Sequence, residues 1–75
     1  MNLYRIQTAT HCTEIGRTPS HFVDWYDADN EEQAIDAWRE DLRRYGLPEE
    51  RTVGHIRQCD PHTLTPTTEA KEIKP

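Results

Sequence analysis

Glycine, cysteine and long apolar runs are all scarce in this chain, and each scarcity removes a class of protein. The three glycines, Gly16, Gly46 and Gly54, stand alone, so there is no glycine-rich loop of the kind whose amides cradle a phosphate. Two cysteines, Cys12 and Cys59, are too few for a disulfide framework, and in a reducing compartment they are free thiols. No run approaches the ~20 apolar residues of a membrane span. The opening MNLYRIQTAT has neither the basic stretch nor the apolar core of a secretory signal. The expectation is a cytoplasmic protein that makes no membrane contact. Seventy-five residues at 33% hydrophobic content make one small domain, which buries only about 60% of its unfolded surface. That is apolar mass for one helix on one small sheet, with none left for a cleft between subdomains.

Positive charge is what the middle of the chain lacks. Residues 24 to 50 carry ten acids against Arg39, Arg43 and Arg44, a local charge of -7 that the rest of the chain offsets only to a net -5. A field of that sign repels a nucleic-acid backbone and favours a basic partner.

What is present reads as ββαβ. LYRIQTATH alternates, with Tyr4, Ile6, Thr8 and Thr10 on one face and Leu3, Arg5, Gln7 and Ala9 on the other. That pattern predicts a strand over 2–11. TEIGRTPS, broken by Gly16 and Pro19, is a hairpin loop. SHFVDWYDA resumes extended structure with Phe22, Tyr26 and Ala28 on one parity and Val23 and Trp25 on the other. Either both faces are partly covered or a bulge near Trp25 switches register, and covering of both faces is the reading preferred. The helix is predicted over 30–45. Asp29 serves as N-cap with Glu32 three positions on, and Glu31, Glu32, Arg43 and Arg44 complement the helix dipole. Ala34, Ile35, Trp38, Leu42 and Tyr45 form its apolar stripe, with Gly46 and Pro48 ending it. RTVGHIRQCD supplies a third strand over 52–59.

The expected fold is therefore α+β. A three-stranded sheet of order 2-1-3 is covered on one face by one amphipathic helix, within a single domain of residues 1–60. A right-handed crossover places the first strand in the middle. Residues 61–75, rich in Thr and Pro, are expected to form a flexible, poorly ordered tail.

His11, Cys12, His55, Cys59 and His62 have zinc-ligand chemistry. Antiparallel first and third strands nevertheless put Cys59 and His62 roughly 20 Å from the other three at ~3.3 Å per residue, and the same spacing argues against a Cys12–Cys59 disulfide. Cys12 with His55 is the only nucleophile–base pair available, since His11 and Cys12 point to opposite faces of a strand. No metal, cofactor or enzymatic activity is expected. The plain reading of the acidic region is a solvated helix face plus capping acids, with ordinary Asp36–Arg39 and Glu40–Arg43/Arg44 surface pairs. Asp24, Asp27, Asp29, Glu31, Glu32 and Asp36 remain without a basic neighbour before Arg39. Together with Trp25 as an aromatic anchor they are the candidate partner-binding residues.

The element Asp27-Ala28-Asp29 followed by Glu31-Glu32-Gln33-Ala34-Ile35 resembles the strand-to-helix junction of small phage-encoded ββαβ proteins. Several anti-CRISPR proteins are similar in size and organisation. The resemblance spans about residues 2–59. It implies a stoichiometric inhibitor in the host cytoplasm that binds a CRISPR effector complex, with carboxylates standing in for phosphates on a basic protein surface. Two alternatives come from the residues themselves. One is a nucleic-acid-binding module that uses the uncovered sheet face through Arg5, Gln7, Arg57 and aromatic side chains. The other is a homodimeric scaffold protein.

Overall fold

A computed structural model describes residues 1–10 and 20–73. Strands β1 (Asn2–Thr10), β2 (Ser20–Ala28), β3 (Thr52–Cys59) and β4 (Lys71–Ile73) form one antiparallel sheet in the order β2-β1-β3-β4. A single helix, α1 (Glu31–Tyr45), packs on one face, and a 3-10 turn at Glu49–Arg51 leads from it into β3. The expected α+β class, the central first strand and the 2-1-3 order all hold.

Alternation in β1 dictates which side is core. Tyr4, Ile6, Thr8 and Thr10 are buried and meet Ala34, Trp38 and Leu42, the buried positions of the helix stripe. Ile56, Ala28 and Ile73 complete that layer, with Tyr26, Ile35 and Leu47 packed against it. Burying each large apolar side chain contributes about 1.5–3 kcal/mol, and Ile6, Trp38, Leu42 and Ile56 are among the most deeply buried of them. Two buried threonines are made tolerable by hydrogen bonds. Trp38 Nε1 donates to Thr8 Oγ1 at 2.9 Å, and the Thr10 and Thr52 hydroxyls share a bond of 2.9 Å.

The helix begins one residue later than its sequence suggested. Asn30, in extended conformation at φ -150, is the N-cap and accepts from Gln33 N at 2.9 Å. Gln33 Oε1 reaches back to accept from Asp29 N at 3.1 Å. Asp29 therefore lies outside the helix, and Gln33 takes the place expected of Glu32. At the other end Gly46 is left-handed at φ 72, its N–H bonded to the Arg43 and Leu42 carbonyls. Leu47 N also bonds to Leu42 O at 2.9 Å. Only glycine adopts such a φ without strain.

Two expectations are corrected. β2 pairs with β1 in unbroken register from Asn2↔Ala28 to Thr10↔Ser20, so the bulge, the less favoured of the two readings of β2, is absent. Among the described residues no element packs on its second face, where Val23 and Trp25 are 37% and 43% exposed. The second correction concerns the tail, which does not hang free. Thr67 N bonds to Gln58 O at 2.8 Å, Gln58 N to Thr68 Oγ1 at 2.9 Å, and Cys59 bridges to Pro66. β4 then continues along β3 with Gly54↔Ile73 and Ile56↔Lys71 in register. The physical reason is Ile73, which is buried beside Gly54 and Trp38. One apolar side chain with a place in the core anchors a segment whose composition otherwise resembles a linker.

Candidate functional site

A strand period of two decides where the acidic candidates go. Asp24 and Trp25 are neighbours in sequence and sit on opposite faces of β2. Asp24 lies on the helix side across from Ile6, whereas Trp25 lies on the uncovered side across from Arg5. Asp27 shares that uncovered side, opposite Leu3. Asp29 occupies the turn before the helix, where its carbonyl accepts from Asn2 Nδ2 at 3.2 Å. Glu31, Glu32 and Asp36 line a cleft of about 350 Å³ between α1 and the β3–β4 margin, together with Ile35, Arg39, Ile56, Glu72 and Ile73. Glu31 is paired there with Lys71 Nζ at 3.0 Å. The seven candidates thus occupy separate places on two faces and an edge, and no single surface collects them.

Asp24 has the most unusual surroundings of the set. Its Oδ2 is buried without a hydrogen-bond partner. Burial, and then the nearby Asp41 carboxylate, hold its pKa above the ordinary aspartate range. Asp41 itself accepts from the Tyr26 hydroxyl at 2.7 Å. Burial, that hydrogen bond and the surrounding negative charge push the Tyr26 phenol well above its usual value.

The uncovered sheet face is the feature that charge counting along the sequence missed. Strand register places Trp25, Arg5 and Arg57 side by side in one row across β2, β1 and β3. The neighbouring row is Val23, Gln7, His55 and Glu72, and the next is His21, Ala9 and Val53. Val53 is 39% exposed. Among the described residues neither Arg5 nor Arg57 has an ion-pair partner, and Arg57 Nε is shielded yet bonded to nothing. Like charges directly opposite on adjacent strands are destabilising, so this row holds two guanidiniums together at some expense to the fold. The signal was available in the sequence as Arg5 and Trp25 on the outward parity of their strands. Arg57 joins them only once the β1–β3 register is known.

His11 and Cys12 lie outside the described residues, so the zinc and Cys12–His55 readings concern positions the structure does not describe. Cys59 is buried with a free thiol. Among the described residues no group of three or more His, Cys, Asp or Glu side chains is arranged to hold a metal ion. No helix there is long and apolar enough to cross a membrane.

Fold and surface together define a small α+β domain with a helix on one sheet face and an amphipathic, arginine-centred second face. No protein-family model, curated protein or solved structure matches the chain.

Proposed function

We propose that this protein is a non-enzymatic binding protein that docks a partner protein on the uncovered face of its sheet. The observation that carries the reading is the row Trp25–Arg5–Arg57, in which Trp25 is exposed, the two arginines are half-buried, and neither arginine has an ion-pair partner among the described residues. Tryptophan and arginine are the side chains that most often dominate binding energy at protein interfaces. Val23 and Val53 supply apolar area on the same face. The chemistry that fits is a protein surface presenting a carboxylate between apolar groups, so that the two guanidiniums acquire the partner they lack.

Charge argues for a protein over the other occupants. A nucleic acid would approach a molecule of net charge -5, which weakens binding of any polyanion. A second copy, face to face, would bring one arginine pair against another. The inhibitor reading drawn from anti-CRISPR proteins stays within this proposal as stoichiometric binding. Phosphate mimicry is not retained, because the carboxylates it needs point in different directions.

The test is affinity capture from a host extract with wild-type, Trp25→Ala and Arg57→Glu baits. A protein held by wild type and lost with both variants supports the proposal, each substitution weakening binding by about 2 kcal/mol or more. Retention of nuclease-sensitive material would move the assignment to nucleic acid. Capture unaffected by these two variants but lost with Glu32→Lys or Asp36→Lys would return it to the acidic cleft. Light scattering on the pure protein checks the dimer.

A further inference from the structure

A recess of about 340 Å³, lined by Phe22, Asp24, Tyr45 and Leu47, opens on the helix side of the sheet between β2 and the C-terminal end of α1. Two of its walls are aromatic. The Phe22 and Tyr45 rings meet edge to face, centroids 6.5 Å apart and planes at 85°. Ring faces set nearly at right angles form a corner, and Tyr45, 57% exposed, leaves that corner open to solvent. Asp24 adds a carboxylate, and its Oδ2 has no donor from the protein. Behind it the Tyr26 hydroxyl is committed to Asp41 Oδ2 at 2.7 Å, while Arg44 Nη1 stands 3.7 Å from Asp41 Oδ1.

We propose that the recess of Phe22, Tyr45, Leu47 and Asp24 binds an organic cation of the alkylammonium class. A cation over an aromatic face is drawn to the negative face of the ring, and two faces in a corner act on the same charge. The Asp24 carboxylate provides the counter-charge, and Leu47 takes the methylene or methyl groups. Other ligand classes fit less well. A calcium-like ion needs six or more oxygen ligands, and a single carboxylate lines this recess. An anion would meet Asp24 and Asp41. A neutral apolar group would shield Asp24 further from water without compensating its charge. The volume lies at the small end of the ligand-pocket range of about 300–1,000 Å³, the scale of an ammonium head group with a short chain. The site faces away from the Trp25 row and does not depend on it.

Titration with tetramethylammonium, followed through the ring-proton resonances of Phe22 and Tyr45, tests the assignment, with tert-butanol as the uncharged near-isostere. Saturable shifts with the cation and none with the alcohol are expected. Asp24→Asn keeps the shape, removes a buried charge and should weaken binding about tenfold. Tyr45→Ala alters an exposed side chain and should weaken it several-fold, with the folded spectrum intact. A lysine-containing peptide forms a second arm. Saturation by the peptide alone assigns the recess to a lysine side chain of a partner, and saturation by tetramethylammonium assigns it to free amines. Unsaturable shifts in both arms, equal shifts with tert-butanol, or unchanged affinity in Asp24→Asn would overturn the proposal.

Discussion

Three positions show how a single residue sets local stability. Asp24 has a carboxyl whose pKa is raised by burial and by Asp41, so the folded chain binds that proton more tightly than the unfolded chain does. The stability it contributes is present below the ordinary aspartate value of about 3.9 and is lost as pH rises through the folded value. Asp24→Asn should therefore melt above wild type at pH 7, and the gap should close below about pH 4. Thermal scans across that range check it, and equal melting at neutral pH would show a fully solvated carboxylate. Gly54 is constrained by space. A Cβ there would lie 2.6 and 2.7 Å from Trp38 Cζ2 and Cη2, and the indole is pinned by its bond to Thr8. Gly54→Ala should cost about 1–3 kcal/mol in denaturant titration. Leu64 holds a φ of 61 while more than half exposed, in a turn closed by Leu64 N to Asp60 O at 2.7 Å. Left-handed backbone costs a residue bearing a Cβ about 1 kcal/mol, so Leu64→Gly should leave stability unchanged or raise it despite the loss of a side chain.

At the level of elements, the sequence was most readable where several local signals agreed. The α1 stripe, its acidic first turn and its Gly46–Pro48 stop all pointed the same way, and the helix lies where they placed it. The stretch Asp27-Ala28-Asp29-Asn30 offered more than one capping residue, and choosing among them needed the position of β2. Asn30→Ala should remove about 1 kcal/mol, whereas Asp29→Ala should remove much less. Comparative unfolding of the two variants decides which residue caps. β4 was not readable because three residues carry almost no periodicity. Its anchor, Ile73, finds its site only after Gly54 and Trp38 have been brought together from distant parts of the chain. Truncation after Ala70 should expose Ile56 and the β3 edge and remove the Lys71–Glu31 pair. Faster amide exchange along β3, with β1 and β2 changed less, is the expected result.

For the whole molecule, counting charge along the chain misled where tracing it through space did not. Residues 24 to 36 are a continuous acidic run in one dimension. The period of the strand and the turn of the helix divide them between the open face, the helix side and the β3–β4 cleft. Arg5 and Arg57 are far apart in sequence and are direct neighbours across β1 and β3. The acids are therefore spread over the domain, and the open sheet face has arginine at its centre. That arrangement, more than net charge, is what a partner meets at short range, because charges beyond about 8 Å are screened at physiological salt.

β1 leaves the ribosome before β2, β3 and β4 and yet ends in the interior of the sheet, between β2 and β3. Its hairpin with β2 can close early, but the opposite edge stays bare until Cys59 has cleared the exit tunnel. The nascent chain must keep Ile6 and Thr8 from pairing elsewhere during that interval. Long-range closures of this kind slow folding. Synthesis rate and chaperone access thus bear on the yield of this protein more than its small size would suggest.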